Sequence, residues 1–230
     1  MNATNPMPKL CLATSVLLGS TLISASTTND QVPFSDPREW NFEVFLDDDP
    51  IGFHNFSLNP QDEGYRLETQ AEFEVDFLFF TAYRYQHDNV EIWEDGCLQR
   101  IESHTVDNGD EFHVQGRRDE GEFEFNSTGE NGEKASLDTE CVRTFAYWDL
   151  DKLMNKRLLN AQTGSYVDVQ VERVGRETIQ VQGVDVDAER YKVDSDKLDL
   201  DLWYSPEGEW LKLRSNVENG RQLRYELRSS

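Results

Sequence analysis

The four histidines are the side chains of this sequence best suited to acid–base chemistry or metal binding. The Asn-Gly pair at 108–109 fits a two-residue hairpin turn, and pairing the strands around it places His104 opposite His113. The same face of that hairpin carries Glu102 and Glu111. Two imidazoles with nearby carboxylates form a donor set that could hold a divalent metal ion.

The same hairpin also has a simpler interpretation. Its other face carries Ile101, Phe112 and Val114, so we expect His104 and His113 to face solvent. A catalytic zinc site has a shielded open coordination position, which an exposed pair of histidines does not provide. The sequence therefore predicts two surface histidines, no metal and no cofactor, with His104 and His113 as the metal-binding alternative.

His54 and His87 stand among aromatic residues in the sequence. A Tyr-Arg-Tyr run at 83–85 precedes His87, and Asp88 follows it. A buried histidine that a carboxylate holds in place can serve as a general base. The sequence contains no Gly-x-Ser-x-Gly, His-Glu-x-x-His or phosphate-binding glycine loop that would complete such a site. We therefore expect His54 and His87 to be core or hydrogen-bonded structural histidines.

The charge balance excludes two classes of protein. The chain has 45 acidic against 22 basic residues and a formal net charge of -23. Such a chain repels a polyanion, so we expect no nucleic-acid partner. No run of 18 or more apolar residues follows position 25, so we expect no transmembrane span once a signal peptide is cleaved.

The N-terminus has the pattern of a secretory signal peptide in residues 1–25. One charged residue, Lys9, precedes the apolar run 10–23, and small residues occupy 24–26. An uncleaved short anchor is the alternative. We expect a protein exported to the periplasm or secreted, with a flexible segment at 26–38 and a single all-β domain at 39–230.

Export would leave Cys97 and Cys141 as the two cysteines of the mature chain, because Cys11 lies in the signal peptide. Two thiols in an oxidising compartment are expected to form one disulfide. A redox-active pair, the alternative, would normally show Cys-x-x-Cys spacing, which these two residues do not have.

From Trp40 onward the apolar residues recur with a period of two, the pattern of half-buried β-strands. The longest run, 65–77, alternates apolar with charged or polar residues and predicts one apolar and one acidic face. Other strands are predicted at 40–45, 90–94, 98–106, 111–117, 122–126, 166–173, 177–182, 184–193, 197–204, 209–217 and 221–228. We expect an all-β fold, an antiparallel barrel or a strongly curved sheet or sandwich of roughly a dozen strands.

One segment departs from this pattern. Apolar residues at 150, 153, 154 and 158 recur at helical spacing after Asp149, a suitable N-cap. They predict one short amphipathic helix at about 150–158 that covers an open end of the sheet. This helix is either a plug that completes the core or a lid over a cavity.

Six short motifs mark a family resemblance that covers nearly the whole chain beyond residue 40. They are WNFEVFLD (40–47), PIGFHNF (50–56), AYRYQH (82–87), TFAYWD (144–149), LLNAQTG (158–164) and LWYS (202–205). With these motifs the chain resembles an uncharacterised family of exported bacterial all-β proteins, a domain of unknown function. The resemblance implies a bacterial, exported, single-domain protein and carries no catalytic assignment.

The sequence favours a binding module for a hydrophobic or amphipathic ligand such as a lipid, because antiparallel barrels of this size can leave an internal cavity. The stretch 77–85 has more aromatic surface than one half-buried strand needs, and Arg84 within it could neutralise a carboxylate or phosphate headgroup. The predicted ligand-contacting residues are Tyr83, Arg84, Tyr85, His87, Trp148 and Gln162. A filled interior, with the aromatic residues in the core, is the alternative.

Two other functions stay open. A periplasmic enzyme would use residues such as His87, Asp88, Arg84 and Gln162 at the barrel mouth and would need them within hydrogen-bond reach of one another. A structural or partner-binding envelope protein would show an exposed apolar patch or a bare sheet edge. We expect binding rather than catalysis, and the sequence predicts neither the identity of the ligand nor an oligomeric state.

Overall fold

The computed structural model describes residues 36–77, 80–128, 134–137, 141–196, 198–217 and 220–228. The predicted signal peptide at 1–25 lies outside these residues, as does the predicted flexible segment at 26–38 except for its last three positions. The described part of the chain is almost entirely β-strand. No helix in it is long and apolar enough to cross a lipid bilayer.

Fifteen strands and one helical turn make up this part of the chain. In chain order they are β1 (Arg38–Leu46), β2 (Asp49–Pro60), β3 (Tyr65–Phe77), β4 (Phe80–Glu94), β5 (Cys97–Asp107), β6 (Asp110–Asp119), β7 (Glu122–Thr128), β8 (Lys134–Leu137), α1 (Leu150–Leu153), β9 (Arg157–Leu159), β10 (Tyr166–Asp168), β11 (Gln170–Val181), β12 (Val184–Ser195), β13 (Leu198–Tyr204), β14 (Trp210–Asn216) and β15 (Gln222–Leu227).

Thirteen of the strands form one antiparallel sheet in the order β11-β12-β13-β14-β15-β1-β2-β3-β4-β5-β6-β7-β8. β9 and β10 form a separate two-stranded sheet. Within the described residues the long sheet ends on β11 and β8 and does not close into a barrel. The prediction of an antiparallel all-β fold with a strongly curved sheet is therefore confirmed.

The alternation in β3 places its apolar side chains on the concave side of this sheet. Leu67, Ala71 and Phe73 are buried, whereas Glu72 and Glu74 between and beside them are exposed. Successive side chains of a strand point to opposite faces, so β3 has an apolar face toward the interior and an acidic face toward the exterior. The concave side carries the hydrophobic core of the protein.

The hairpin turns fix which residues lie opposite one another on neighbouring strands. β5 and β6 pair around Asn108 and Gly109, both with positive φ, and the register places His104 opposite His113 as predicted. β4 and β5 are joined by a similar turn at 95–96, also with two positive φ angles. Turns of this kind match the twist of antiparallel strands, and so they set the register across the sheet.

The connection at 141–169 lies against the concave side and acts as a plug. Its buried apolar side chains are Val142, Ala146, Trp148, Leu153, Leu158, Leu159 and Val169. It is attached to strands far apart in the sheet: the Leu98 amide donates to the Val142 carbonyl, and the Tyr204 hydroxyl donates to the Tyr147 carbonyl at 2.8 Å. A disulfide between Cys97 and Cys141 ties its first residue to β5.

The helix predicted at 150–158 is shorter than expected. Asp149 is the N-cap, and its side chain accepts a hydrogen bond from the Lys152 amide, but the helix ends at Leu153. The Asn155 side chain then accepts from the next backbone amide, a local contact that competes with helix continuation. β9 follows at once and pairs with β10, so Leu158 is buried on a strand rather than on a helix.

Removing the disulfide is expected to lower stability without changing the fold. A double variant with Cys97→Ser and Cys141→Ser frees a loop with a sequence separation of 44 residues, which in the chain-entropy model costs about 4 kcal/mol. Urea unfolding of the mature protein under oxidising conditions measures this difference. Wild-type protein treated with dithiothreitol should show the same shift and the variant should show none, and an unchanged wild-type midpoint would contradict a structural disulfide.

Candidate functional site

The plug leaves part of the concave side uncovered, and a cavity of about 1750 Å³ occupies that space. Its apolar lining includes Leu46, Ile51, Phe56, Leu67, Phe73, Val75, Phe145, Tyr147, Val167, Leu198, Leu200, Leu213, Val217 and Leu223. Exposed residues such as Asp194 and Asp196 also line it, so the cavity reaches the protein surface. The interior is therefore partly filled by the plug and partly hollow.

A hydrogen-bonded group of polar side chains joins the plug to one side of this cavity. The Tyr83 hydroxyl donates to Asp107 Oδ1 at 2.8 Å, and Gln162 Nε2 donates to Asp107 Oδ2 at 3.2 Å. The Tyr85 hydroxyl donates to Gln162 Oε1 at 3.3 Å. The β4–β5 register pairs Tyr85 with Asp107, and the loop after β9 supplies Gln162.

A row of histidines and hydroxyls crosses the sheet beside this group. His54 on β2 and His87 on β4 both pair with Ala71 on β3, and their ring centroids lie 6.4 Å apart. His54 Nδ1 is 3.3 Å from the Tyr225 hydroxyl, and His87 Nδ1 is 2.8 Å from the Thr105 hydroxyl. Both histidines are hydrogen-bonded and both line the cavity.

The titratable groups of this row are uncharged at neutral pH. Burial lowers the pKa of His87 to about 4, with a smaller contribution from His104. Burial and the neighbouring His87 also hold the pKa of His54 well below its ordinary value. Burial raises the pKa of Tyr85 and of Tyr225, so their hydroxyls stay protonated. This side of the cavity therefore offers neutral donors and acceptors.

A buried carboxyl group, that of Glu91, lies farther along β4. Glu91 accepts hydrogen bonds from Asn89 Nδ2 at 3.0 Å, Trp93 Nε1 at 2.8 Å and the Thr144 hydroxyl at 3.0 Å. Burial raises the pKa of Glu91, although the three hydrogen bonds oppose that shift. Because Thr144 belongs to the plug, this contact links the plug to β4.

Five of the six predicted ligand-contacting residues line the cavity: Tyr83, Tyr85, His87, Trp148 and Gln162. Arg84 does not. Its side chain is 59% exposed on the outer face, where it forms an ion pair with Glu74 at 2.8 Å. It stands between Tyr83 and Tyr85, and alternate residues of a strand face opposite sides, so the expectation of Arg84 at the cavity mouth is corrected.

No site role was predicted for Asp107, Glu91 or Tyr225, and His54 was predicted to be a structural residue. One signal was present. Glu91 is two and four residues from Asn89 and His87, so it shares their face of the strand. The Asp-Gly turn at 95–96 alone would pair Asp107 with Arg84, and the irregularity between Ile92 and Trp93 shifts the register so that Asp107 pairs with Tyr85. Tyr225 gave no local signal, because β15 reaches this site only through the sheet order.

The His104–His113 pair lies elsewhere, on the outer face of the β5–β6 hairpin, with His113 exposed and His104 half-buried. The His104 and His113 rings stack with centroids 4.4 Å apart and planes 8° apart. Ligand atoms of these two residues and Glu111 lie within 4.8 Å of one another. Parallel stacked rings direct their nitrogen lone pairs side by side rather than toward one point, so a shared metal ion would require one ring to rotate. Metal binding here stays the alternative that the sequence left open.

Comparison with known proteins gives a family and a fold. A family model described as a domain of unknown function (DUF6134) matches residues 42–228. Among proteins with curated functions, none matches the chain. The structure is similar to the crystal structure of a beta-barrel-like protein of domain of unknown function DUF1849 from Brucella abortus, with a TM-score of 0.61 and 11% identity over 84% of this chain and 96% of that chain.

Replacing His87 by Gln is expected to reduce the loss of stability in acid. The pKa of His87 is about 4 in the folded protein against 6.5 for an ordinary imidazole, so the unfolded chain takes up the proton first as the pH falls. The stability that this neutral ring contributes is complete above pH 6.5 and is lost as the pH falls to about 4, by at most about 3 kcal/mol. Gln stays neutral throughout.

Urea unfolding of both proteins at about pH 7.5 and about pH 4.5 measures this effect. At the higher pH the ring is neutral in both states, so the difference between the proteins there gives the cost of the substitution itself. The wild type should lose more stability than His87→Gln on acidification. Equal losses would mean that His87 is not held as a buried neutral ring.

Proposed function

Since the chain belongs to the family of domain of unknown function DUF6134, whose description assigns no activity, its own cavity has to indicate its role. We propose that it is an exported bacterial binding protein, periplasmic or secreted, for a hydrophobic or amphipathic ligand such as a lipid. The single observation that carries this proposal is the cavity of about 1750 Å³ on the concave side of the sheet.

The size and lining of the cavity support a ligand with a long apolar part. Pockets for drug-sized molecules span roughly 300–1,000 Å³, so this space would accept a larger or elongated molecule. Leu200, Leu213 and Leu223 line the part of its wall that β13, β14 and β15 form. Each methylene group transferred from water to such a wall contributes roughly 0.8 kcal/mol of binding free energy, so a chain of several methylenes would be held firmly.

The hydrogen-bonded polar side chains beside the cavity support an amphipathic ligand. Tyr83, Asp107 and Gln162 are joined by hydrogen bonds beside the apolar wall, so a bound molecule meets both surfaces. A ligand with one polar portion and one apolar portion fits that division. The disulfide between Cys97 and Cys141 fits an oxidising compartment and so supports export.

Binding accounts for the site better than catalysis does. General acid–base catalysis works best when the pKa of the catalytic group lies near the working pH, whereas the pKa of His87 lies at about 4 and burial raises that of Tyr85. Arg84 and Asp88 of the enzyme hypothesis lie on the exposed face, away from Gln162. Partner binding stays the third hypothesis.

The uncharged fluorescent probe N-phenyl-1-naphthylamine tests the proposal directly. The mature protein should enhance the fluorescence of this probe, and native mass spectrometry after incubation with bacterial lipid extract should show a retained lipid. Ser215 lines the cavity from β14, so Ser215→Phe should fill part of it and weaken probe binding about tenfold or more.

Asn216→Phe is the matched control, because it places the same ring on the next residue of β14, which is exposed and does not line the cavity. It should bind the probe like the wild type. Failure of the wild type to bind either the probe or a lipid would contradict the proposal, as would equal binding by the wild type and Ser215→Phe.

A further inference from the structure

From the charges and hydrogen-bonding groups of the cavity we infer that the ligand is an uncharged amphiphile with a hydroxyl-bearing polar portion, of the monoacylglycerol type, and not a fatty-acid or phospholipid anion. This inference rests on the proposed binding function and names the chemical class of the ligand.

The charged residues of the cavity wall disfavour an anion. Five acidic side chains line it, namely Glu91, Asp107, Asp168, Asp194 and Asp196, against the cations Lys156 and Arg221. Asp168 forms an ion pair with Arg157 at 2.9 Å and Arg221 forms one with Asp47 at 2.8 Å, which leaves four acidic side chains, one of them the buried Glu91, against one cation. A cavity lined by an excess of one sign repels a ligand of that sign, and low-dielectric walls strengthen the repulsion.

Proteins usually hold carboxylates and phosphates with the fork of an arginine side chain or with a cluster of backbone amides. Among the described residues that line the cavity the arginine is Arg221, and its guanidinium is paired with Asp47. Arg84, the cation nearest in sequence to the polar group, is on the outer face and paired with Glu74. Its Nε and Nη2 atoms contact one Glu74 oxygen at 3.2 and 2.8 Å, so the outer surface holds this guanidinium in place.

The polar groups that do face the cavity suit an uncharged hydroxyl. Tyr85, Tyr225, His54 and His87 carry no charge at neutral pH, and each ring nitrogen or hydroxyl can exchange a hydrogen bond with a group that both donates and accepts. A hydroxyl does both. A carboxylate accepts only, and a methyl ester likewise has no proton to give.

Two buried polar atoms of the cavity-lining residues have no hydrogen-bond partner among the described residues: His54 Nε2 and Asn89 Oδ1. Asn89 Oδ1 needs a donor, and His54 Nε2 needs a donor or an acceptor according to the ring tautomer. A ligand with more than one hydroxyl supplies both. Each atom is covered by its neighbours, so the contact requires its side chain to rotate.

A matched series of dodecanoyl compounds tests the inference by displacement of N-phenyl-1-naphthylamine. Monolauroylglycerol is uncharged with hydroxyls, methyl laurate is uncharged without a hydroxyl, and laurate and lauroyl lysophosphatidate are anions. All four share the same acyl chain, so their differences report the polar portion. Monolauroylglycerol should displace the probe at a concentration about fivefold or more below that of each of the other three.

Two conservative variants test whether the polar side chains of the cavity cause the preference for monolauroylglycerol. His54→Phe keeps an aromatic ring beside Phe56, and Tyr225→Phe removes one hydroxyl. Each should weaken monolauroylglycerol binding about threefold or more and leave methyl laurate binding unchanged. Tyr191→Phe is the control, because the Tyr191 hydroxyl bonds to Glu189 and this residue does not line the cavity.

The outcomes separate this inference from the proposed function. Equal displacement by all four compounds, tighter binding of either anion, or a preference that survives in both variants would overturn the inference and leave lipid binding in place. Failure of the wild type to bind the probe and all four compounds would overturn both. Preference for monolauroylglycerol that is lost in His54→Phe or Tyr225→Phe would support both.

Discussion

The concave face of the sheet is apolar, and an apolar face has to be covered or occupied. Strands such as β1 and β3 send alternate side chains toward that face, and the segment at 141–169 covers part of it. The attachments that hold the segment there include the disulfide at Cys141, the bond from Thr144 to the buried Glu91, and the bond from Tyr204 to the Tyr147 carbonyl. What the segment leaves uncovered is the cavity, so the position of the plug determines the site.

The outer face is stabilised differently, by ion pairs and cation–aromatic contacts. On β12 to β14, Asp201 lies between Arg190 and Arg214, at 2.7 and 2.6 Å. Burial would raise the pKa of Asp201, but hydrogen bonds from the two arginines lower it. Both guanidiniums also lie over the Trp203 ring, whose Nε1 donates to Glu177 at 2.6 Å. This cluster keeps a large aromatic ring dry on a face that otherwise contacts water.

Local patterns in the sequence predicted the local geometry well. The period-two alternation located β3, the Asn-Gly pair fixed the His104–His113 register, and Asp149 marked the helix start. The end of the helix was wrong because Leu158 is buried by pairing between β9 and β10, a contact that helical spacing alone does not reveal. β2 was not predicted, since Pro50 and Gly52 interrupt its alternation. The prediction of Arg84 at the cavity mouth followed from the aromatic composition of 77–85 and was wrong because strand alternation directs Arg84 to the outer face. The link between Tyr225 and His54 depends on the sheet order, which single-strand patterns do not contain.

The sheet order has a consequence for how the chain is made. β1 lies between β2 and β15, with Phe42 paired with Leu227, so the middle of the sheet is assembled from the two ends of the fold. Contacts this distant in sequence form late, because the loop they close is long. The nascent chain cannot complete the centre of the sheet until β15 has left the ribosome. The chain therefore stays incompletely folded for longer during synthesis than a sheet built from neighbouring strands would.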